Sequence, residues 1–210
     1  PSGCRGMGIG AVSKLTSLSM EFLQHFDRDV FLFLNGLHSD MLDPVMYFFT
    51  KILSWLPLYI WLIFLVIKTH QRNTWMYLVG VAIAIALADQ FTSSLMKPFF
   101  ARLRPSHEPS LEGLVHLVNN YKGGLYGFAS GHAATTFAVA TFVWLSLRHA
   151  YKKIAWVFAW AVTMTYTRIY LGVHYPSDIL VGATVGCLFG IAVWKVTSTF
   201  EARLEKNKRA

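Results

Sequence analysis

The sequence predicts an all-α bundle of transmembrane helices, about five to six spans plus an N-terminal interfacial helix. Three observations predict it. Hydrophobic residues make up 54% of the 210 and charged residues only 14%, a balance too apolar for a soluble domain of this length. The apolar residues fall in runs close to the roughly 20 residues that a helix needs to cross a bilayer. The net charge of +8 sits mostly in short connections between those runs, which is the orientation signal of a polytopic membrane protein. No RNP-type motif or zinc knuckle supports a nucleic-acid partner.

Taken in order, residues 1–19 are rich in Gly and Ser and lack the apolar core of a signal peptide. They are expected to be a flexible leader or cloning remnant. Residues 20–200 are expected to form a single membrane-embedded domain, followed by a basic cytoplasmic tail over 201–210. Within 21–37, Glu21, His25, Asp27, Arg28 and Asp29 stand among apolar residues at 3–4 spacing. That is too much charge for a comfortable span, and it suits an amphipathic helix lying in the interface; a sixth span is the alternative. The expected spans cover 44–67, with Pro57 as a kink, then 75–96, 130–147, 154–171 and 177–196. A polar connection of about 30 residues, 97–128, joins the second span to the third.

Five spans alternate direction, so the connections sort into two sets. The 68–74 loop, the 148–153 loop and the C-terminal tail share one side and are basic, which marks that side as cytoplasmic. The 97–128 connection and the turn 168–178 share the other. Cys4 and Cys187 give no sign of pairing. Gly182, Gly186 and Gly190 form a small-residue stripe on the last span. It suits close helix packing, within the monomer first, with a weak homodimer as the alternative.

Ionisable side chains in a bilayer cost roughly 2.5–3.5 kcal/mol each on insertion scales, so those that cluster at one depth are candidate functional groups. Lys97, Arg104 and Arg168 bring fixed positive charge to one face, and arginine offers a planar donor fork matched to phosphate oxygens. Ser130 and Gly131 open a helix whose free N–H groups point at the same place. Together they describe a pocket for a tetrahedral anion. Asp178, four residues after His174 and just inside a helix opened by Pro176, is placed to accept the Nδ1 proton of His174 and leave Nε2 as a nucleophile. His132 is placed to protonate a leaving oxygen.

These residues resemble the three signatures of the type 2 phosphatidic acid phosphatase superfamily. Lys97 and Arg104-Pro105 match the first signature, lysine, six residues, Arg-Pro. Ser130-Gly131-His132 match Pro-Ser-Gly-His, with Ala129 in the proline place. Arg168, His174 and Asp178 match Ser-Arg, five residues, histidine, three residues, aspartate, with Thr167 in the serine place. The resemblance implies a bacterial inner-membrane phosphatase with His174 as the phosphorylated nucleophile, Asp178 orienting it and His132 as general acid. Lys97, Arg104, Ser130, Gly131 and Arg168 would hold the phosphate, with no metal or cofactor. The implied substrate is a lipid phosphate or diphosphate reached from the periplasm or exterior: undecaprenyl diphosphate, phosphatidylglycerophosphate, phosphatidate or a lipid A phosphate. A non-catalytic lipid-phosphate binding or transport protein and a relative of the vanadate-dependent haloperoxidases are the alternatives. Outside the signatures, Arg102 reads as an interfacial anchor or headgroup contact. Asp89 reads as a polar link between helices. His107, Glu108, Glu112 and His116 read as parts of a solvated loop.

Overall fold

The structure, a computed structural model, describes residues 9–209. Residues 1–8 of the expected leader lie outside the described residues. The rest of that leader gives way to helix at Ile9, where α1 (Ile9–Asn35) begins. A short α2 (Asp43–Phe49) follows, then α3 (Leu56–His70) and α4 (Thr74–Gln90). A π-type turn, Phe91–Met96, joins α4 to the four-residue α5 (Lys97–Phe100). After a long connection come α6 (Gly131–Leu147), α7 (Val157–Tyr170) and α8 (Pro176–Arg209). Two helical stretches, Ile52–Phe100 and Pro176–Lys208, are long and apolar enough to cross a membrane, and Gly131–Leu147 is a shorter apolar helix. Many side chains on the outer faces are exposed and apolar, among them Phe33, Phe64, Leu95, Leu180, Leu188 and Val196. In water such a surface would be an aggregation hazard; against lipid it is ordinary.

The first expected span, 44–67, is broken in the structure. Lys51 is extended (φ −80°, ψ 132°) and separates α2 from a 3-10 turn, Ile52–Trp55, that leads into α3. Pro57 therefore sits in the first turn of α3 and does not kink a helix. The proline N–H is missing where a helix has no use for one. The π turn has two local causes. Pro98 has no N–H to return to the carbonyl four residues back, and the Thr92 hydroxyl competes for helix carbonyls, donating to Ala88 O at 2.9 Å and Asp89 O at 3.2 Å. The last helix continues well past 196, so the basic tail is helical to Arg209.

α1 is amphipathic in an inverted sense. Asp27, Phe31 and Asn35, spaced by four, are buried, while Phe22, Phe26 and Phe33 are exposed. Asn35 caps the far end of α7, its Nδ2 donating to Ile169 O at 3.1 Å and Tyr170 O at 2.8 Å.

The bundle is centred on α6 and α8, and the glycine stripe explains how closely they pack. A Cβ at Gly186 would collide with the carbonyl of Ala134, and one at Gly190 would lie 2.9 Å from Ala138 O. The stripe is thus used within the chain, and only glycine permits the approach. The contact registers the start of α8 against the start of α6, where Ser130 N–H donates to Asp178 O at 3.0 Å. At the opposite end His70 of α3, Ser146 of α6 and Glu201 of α8 meet. Helices α3, α4, α6, α7 and α8 therefore run alternately up and down between two polar ends.

Candidate active site

The turn between α7 and α8 is built to bury charge. α7 ends at Tyr170, and Gly172 adopts φ +75°, where a Cβ would strike Val115 and the carbonyl of His116. Glycine lets the chain reverse there. Val173 N–H returns to Arg168 O at 3.1 Å, and Pro176 opens α8 two residues after His174. His174 is 1% exposed and Asp178 0%. Burial at this level permits ionisable groups only when they are paired.

Their pairing fixes the state of the imidazole. His174 Nδ1 lies 3.2 Å from Asp178 Oδ2, which also accepts the Tyr175 N–H at 3.0 Å. Nε2 lies 2.9 Å from Arg104 Nη1. Arginine has no acceptor, so Nε2 must present its lone pair and Nδ1 must carry the proton. Burial first, then the charges of Arg104, Arg168, Lys97 and Arg102, hold His174 well below the usual histidine range. The ring is a neutral base with its free electron pair directed at the cationic side of the site.

The connection between α5 and α6 delivers that cation. Leu103 and Tyr126 form an antiparallel bridge, with Arg104 N–H donating to Leu125 O at 3.1 Å and Gly127 N–H to Arg102 O at 2.9 Å. Residues two apart on an extended chain share a face, so Arg102 and Arg104 both reach the His174–Asp178 pair. Arg104 Nη1 also donates to Val173 O at 3.1 Å. Arg168 donates from Nη1 to Thr50 Oγ1 at 2.7 Å and from Nη2 to Tyr121 OH at 3.3 Å. That bond draws the Tyr121 hydroxyl below its usual pKa against the opposing effect of burial. Arg104 Nε and Arg168 Nε are buried and have no hydrogen-bond partner among the described residues. An unmet buried donor costs about 1–3 kcal/mol, and two cationic ones side by side suit an oxyanion.

The remaining predicted residues fall nearby. Ser130 is the N-cap of α6, its hydroxyl accepting from Ala133 N at 3.4 Å. Gly131 faces α4, where Asp89 Oδ1 and Ser93 Oγ lie 3.5 and 3.6 Å from the position of a Cβ. Asp89, Ser93 and Lys97 form a ladder, with Lys97 Nζ 3.5 Å from Ser93 Oγ and Ser93 Oγ 3.3 Å from Asp89 Oδ1. The ladder holds the lysine and abuts the start of α6. His132 and Gly131 stand at one end of a largely apolar cavity of about 730 Å³ between α3, α4, α6 and α7, lined further along by Leu62, Val81, Ile85 and Met164.

Two expectations change. Arg102, expected to be an anchor or headgroup contact, instead bridges Asp178 Oδ1 at 3.1 Å and Asp27 Oδ2 at 2.7 Å. His116, expected in a solvated loop, packs flat on His38 at 3.7 Å and bonds Asp43 at 3.0 Å. Asp27, Thr50, Tyr121 and Ser177 carry no local signal in the sequence, because their partners lie 47 to 150 residues away.

Comparison with known proteins identifies the family. Residues 73–202 match the PAP2 superfamily. The chain belongs to that superfamily. It is a membrane-associated phosphatase that hydrolyses phosphoester bonds. A lipid A 4'-phosphatase of Bacteroides thetaiotaomicron is 37% identical over 190 residues, covering 90% of this chain and 84% of that protein. A second lipid A 4'-phosphatase, of Porphyromonas gingivalis, is 37% identical over 180 residues, covering 84% and 75%. Among solved structures, Aquifex aeolicus LpxE superposes with a TM-score of 0.61 at 31% identity, covering 80% of this chain and 93% of that one. A PAP2-type phosphatidylglycerolphosphate phosphatase of Bacillus subtilis gives 0.60 at 21% identity, covering 86% and 87%, a likeness of fold.

Proposed function

We propose that this PAP2 phosphatase removes a phosphate from lipid A through a phosphohistidine on His174. One observation carries the chemistry: a buried neutral imidazole, proton toward Asp178, presents its lone pair to the Arg104 guanidinium, and Arg104 and Arg168 each keep an unmet Nε donor. The phosphate oxygens would take up Arg104 Nε, Arg168 Nε, Lys97, the Ser130 hydroxyl and the Gly131 N–H that opens α6, the Ser130 N–H being held by Asp178 O. Arg104 then gives up Nε2, which attacks phosphorus in line with the leaving oxygen. His132 supplies the proton to that oxygen as the P–O bond breaks. Asp178 stabilises the positive charge on the phosphorylated ring. Water next attacks phosphorus, His132 takes its proton, and inorganic phosphate leaves with His174 restored. The charge neutralisation that a metal would bring is carried by Lys97, Arg104 and Arg168.

The choice of lipid A among lipid phosphates is supported by the two relatives that bear that activity in their names and align over most of this chain. The apolar cavity that opens beside His132 is suited to a hydrocarbon tail, so the phosphate can be held while the tail stays in the bilayer. Basic connections at the His70 end support a cytoplasmic placement of that end, with the site on the periplasmic or outer face. Five helices pass between the two ends. Asp27 and Asn35, both on α1, meet the start of α8 and the end of α7 at the same face. That supports α1 lying along the interface.

The test is phosphate release by the purified protein in detergent from a panel of lipid A, phosphatidylglycerophosphate, phosphatidate and undecaprenyl diphosphate, with His174→Ala as the blank. Lipid A should be turned over fastest, with chelator present or absent. Undiminished release by His174→Ala would sink the mechanism, and a faster rival lipid would replace the substrate.

A further inference from the structure

Asp27 lies outside the residues that match the superfamily, yet its carboxylate ends in the catalytic network. It is buried. Oδ1 accepts the Ser177 N–H at 2.9 Å, and Oδ2 accepts the Ser177 hydroxyl at 2.5 Å and Arg102 Nη2 at 2.7 Å. Arg102 Nη1 donates onward to Ser177 Oγ at 2.7 Å and to Asp178 Oδ1 at 3.1 Å. Its guanidinium lies 4.0 Å over the Tyr175 ring. The two oxygens of Asp178 are therefore held separately, Oδ1 by Arg102 and Oδ2 by His174 and the Tyr175 N–H.

The arrangement has an electrostatic reason. An Arg102–Asp178 pair alone would neutralise the carboxylate whose charge the phosphorylated imidazole needs. A second carboxylate shares the arginine, so the group beside His174 keeps a net negative charge. A planar fork anchored at both ends also fixes the plane of the carboxylate it holds.

We propose that Asp27 and Arg102 are positioning residues for the phosphatase reaction: Asp27 anchors the Arg102 fork, the fork fixes the plane and charge of Asp178, and Asp178 aims His174. This rests on His174 being the nucleophile. A simpler role for α1, docking against the connection, is separable, because Arg28 makes a docking contact of its own to Ser110 O at 3.0 Å.

The experiment uses the full chain in detergent and reads two quantities. Turnover of the best lipid phosphate gives kcat and KM. Proton NMR gives the deshielded Nδ1–H signal of His174, identified by its loss in His174→Ala. Asp27→Ala should lower kcat by about 10- to 100-fold with KM within about twofold, the size of effect expected from a misaimed catalytic group. Asp27→Asn, which keeps an acceptor for Ser177, should fall between. The Asp27→Ala/Arg102→Ala double variant should be no worse than the worse single variant, because both break one path. Arg28→Ala should leave kcat unchanged. The Nδ1–H signal should shift or broaden in Asp27→Ala and stay in place in Arg28→Ala. An unmoved signal in Asp27→Ala, multiplicative losses in the double variant, or an equal loss of kcat in Arg28→Ala would overturn the relay. Failure of the wild type to release phosphate from any lipid would defeat the proposed function instead, and the NMR signal would still decide the relay.

Discussion

The bundle carries a polar cluster at each end, and the two are built in opposite ways. At the far end from the site, Tyr77 OH donates to Glu201 Oε2 at 2.5 Å and Asn73 Nδ2 to Glu201 Oε1 at 2.9 Å. His70 stacks on Tyr77 at 3.5 Å and reaches Ser146 O at 3.3 Å. Each donor there has its acceptor inside the chain. At the His174 end, Arg104 Nε and Arg168 Nε are buried without one among the described residues. A closed cluster stabilises the fold, whereas one with spare donors costs about 1–3 kcal/mol for each. That cost is recovered only when a ligand brings acceptors. The same helices thus finish in a clamp at one end and a receptor at the other. Substitutions at the receptor should change rate, and those at the clamp should change stability.

Asp178→Asn is the severest way to break the receptor. The amide cannot hold the Nδ1–H tautomer as the carboxylate does, nor stabilise the positive ring. A drop in kcat of about 10⁴-fold is expected, the size seen when a buried orienting aspartate is lost, with KM little changed. Steady-state phosphate release decides it, and a loss under tenfold would mean that Asp178 only packs. Arg168→Lys comes next. It keeps the charge but loses the fork, and with it the Nε donor and the bond to Tyr121. A fall in kcat of about 10²- to 10³-fold is expected for one missing oxyanion donor. Full activity in this variant would show that charge alone holds the phosphate.

The receptor should also cost stability in acid. His174 is held below its usual value by burial and by the neighbouring cations. Below about pH 6.5 the unfolded chain binds a proton at this residue that the folded chain refuses. Stability is therefore complete above that pH and falls as pH drops toward the folded value. Thermal unfolding from about pH 7 down to about pH 5 should show the wild type losing more Tm than His174→Gln. Equal losses would mean that His174 accepts its proton in the folded state.

Much of the receptor was legible because its residues are tied to helix ends. Lys97, Ser130, Arg168, His174 and Asp178 stand where apolar runs stop, and alternation of spans places those stops on one face. The contact of His174 with Asp178 followed from their four-residue spacing across the start of α8. What stayed hidden depends on distant partners. Nothing near Arg102 distinguishes it from an interfacial anchor until Asp27, 75 residues away, is seen beside it. The break at Lys51 was hidden by an apolar run on both sides. Pro57 was misplaced for the same reason, since a proline marks a helix start or a kink according to where the helix begins. The clamp at the Glu201 end was not legible at all, because His70, Asn73 and Glu201 sit among the basic residues that mark a membrane boundary.

The smallest expected effect is at that clamp. Glu201 accepts from Tyr77 and Asn73 and lies 3.6 Å from His70 Nδ1. Glu201→Gln keeps the shape and one acceptor oxygen but removes the charge, so one strong bond becomes a neutral one and an amide donor faces the Asn73 amide. A loss of about 1 kcal/mol follows for a partly exposed group of this kind, read as a fall of a few degrees in Tm. The kcat for phosphate release should stay at the wild-type value, because the length of the helices separates the two ends and the glycine contact holding α8 to α6 lies between them. If kcat fell with Tm intact, the two ends would be coupled through α8, and the division into clamp and receptor would have to be abandoned.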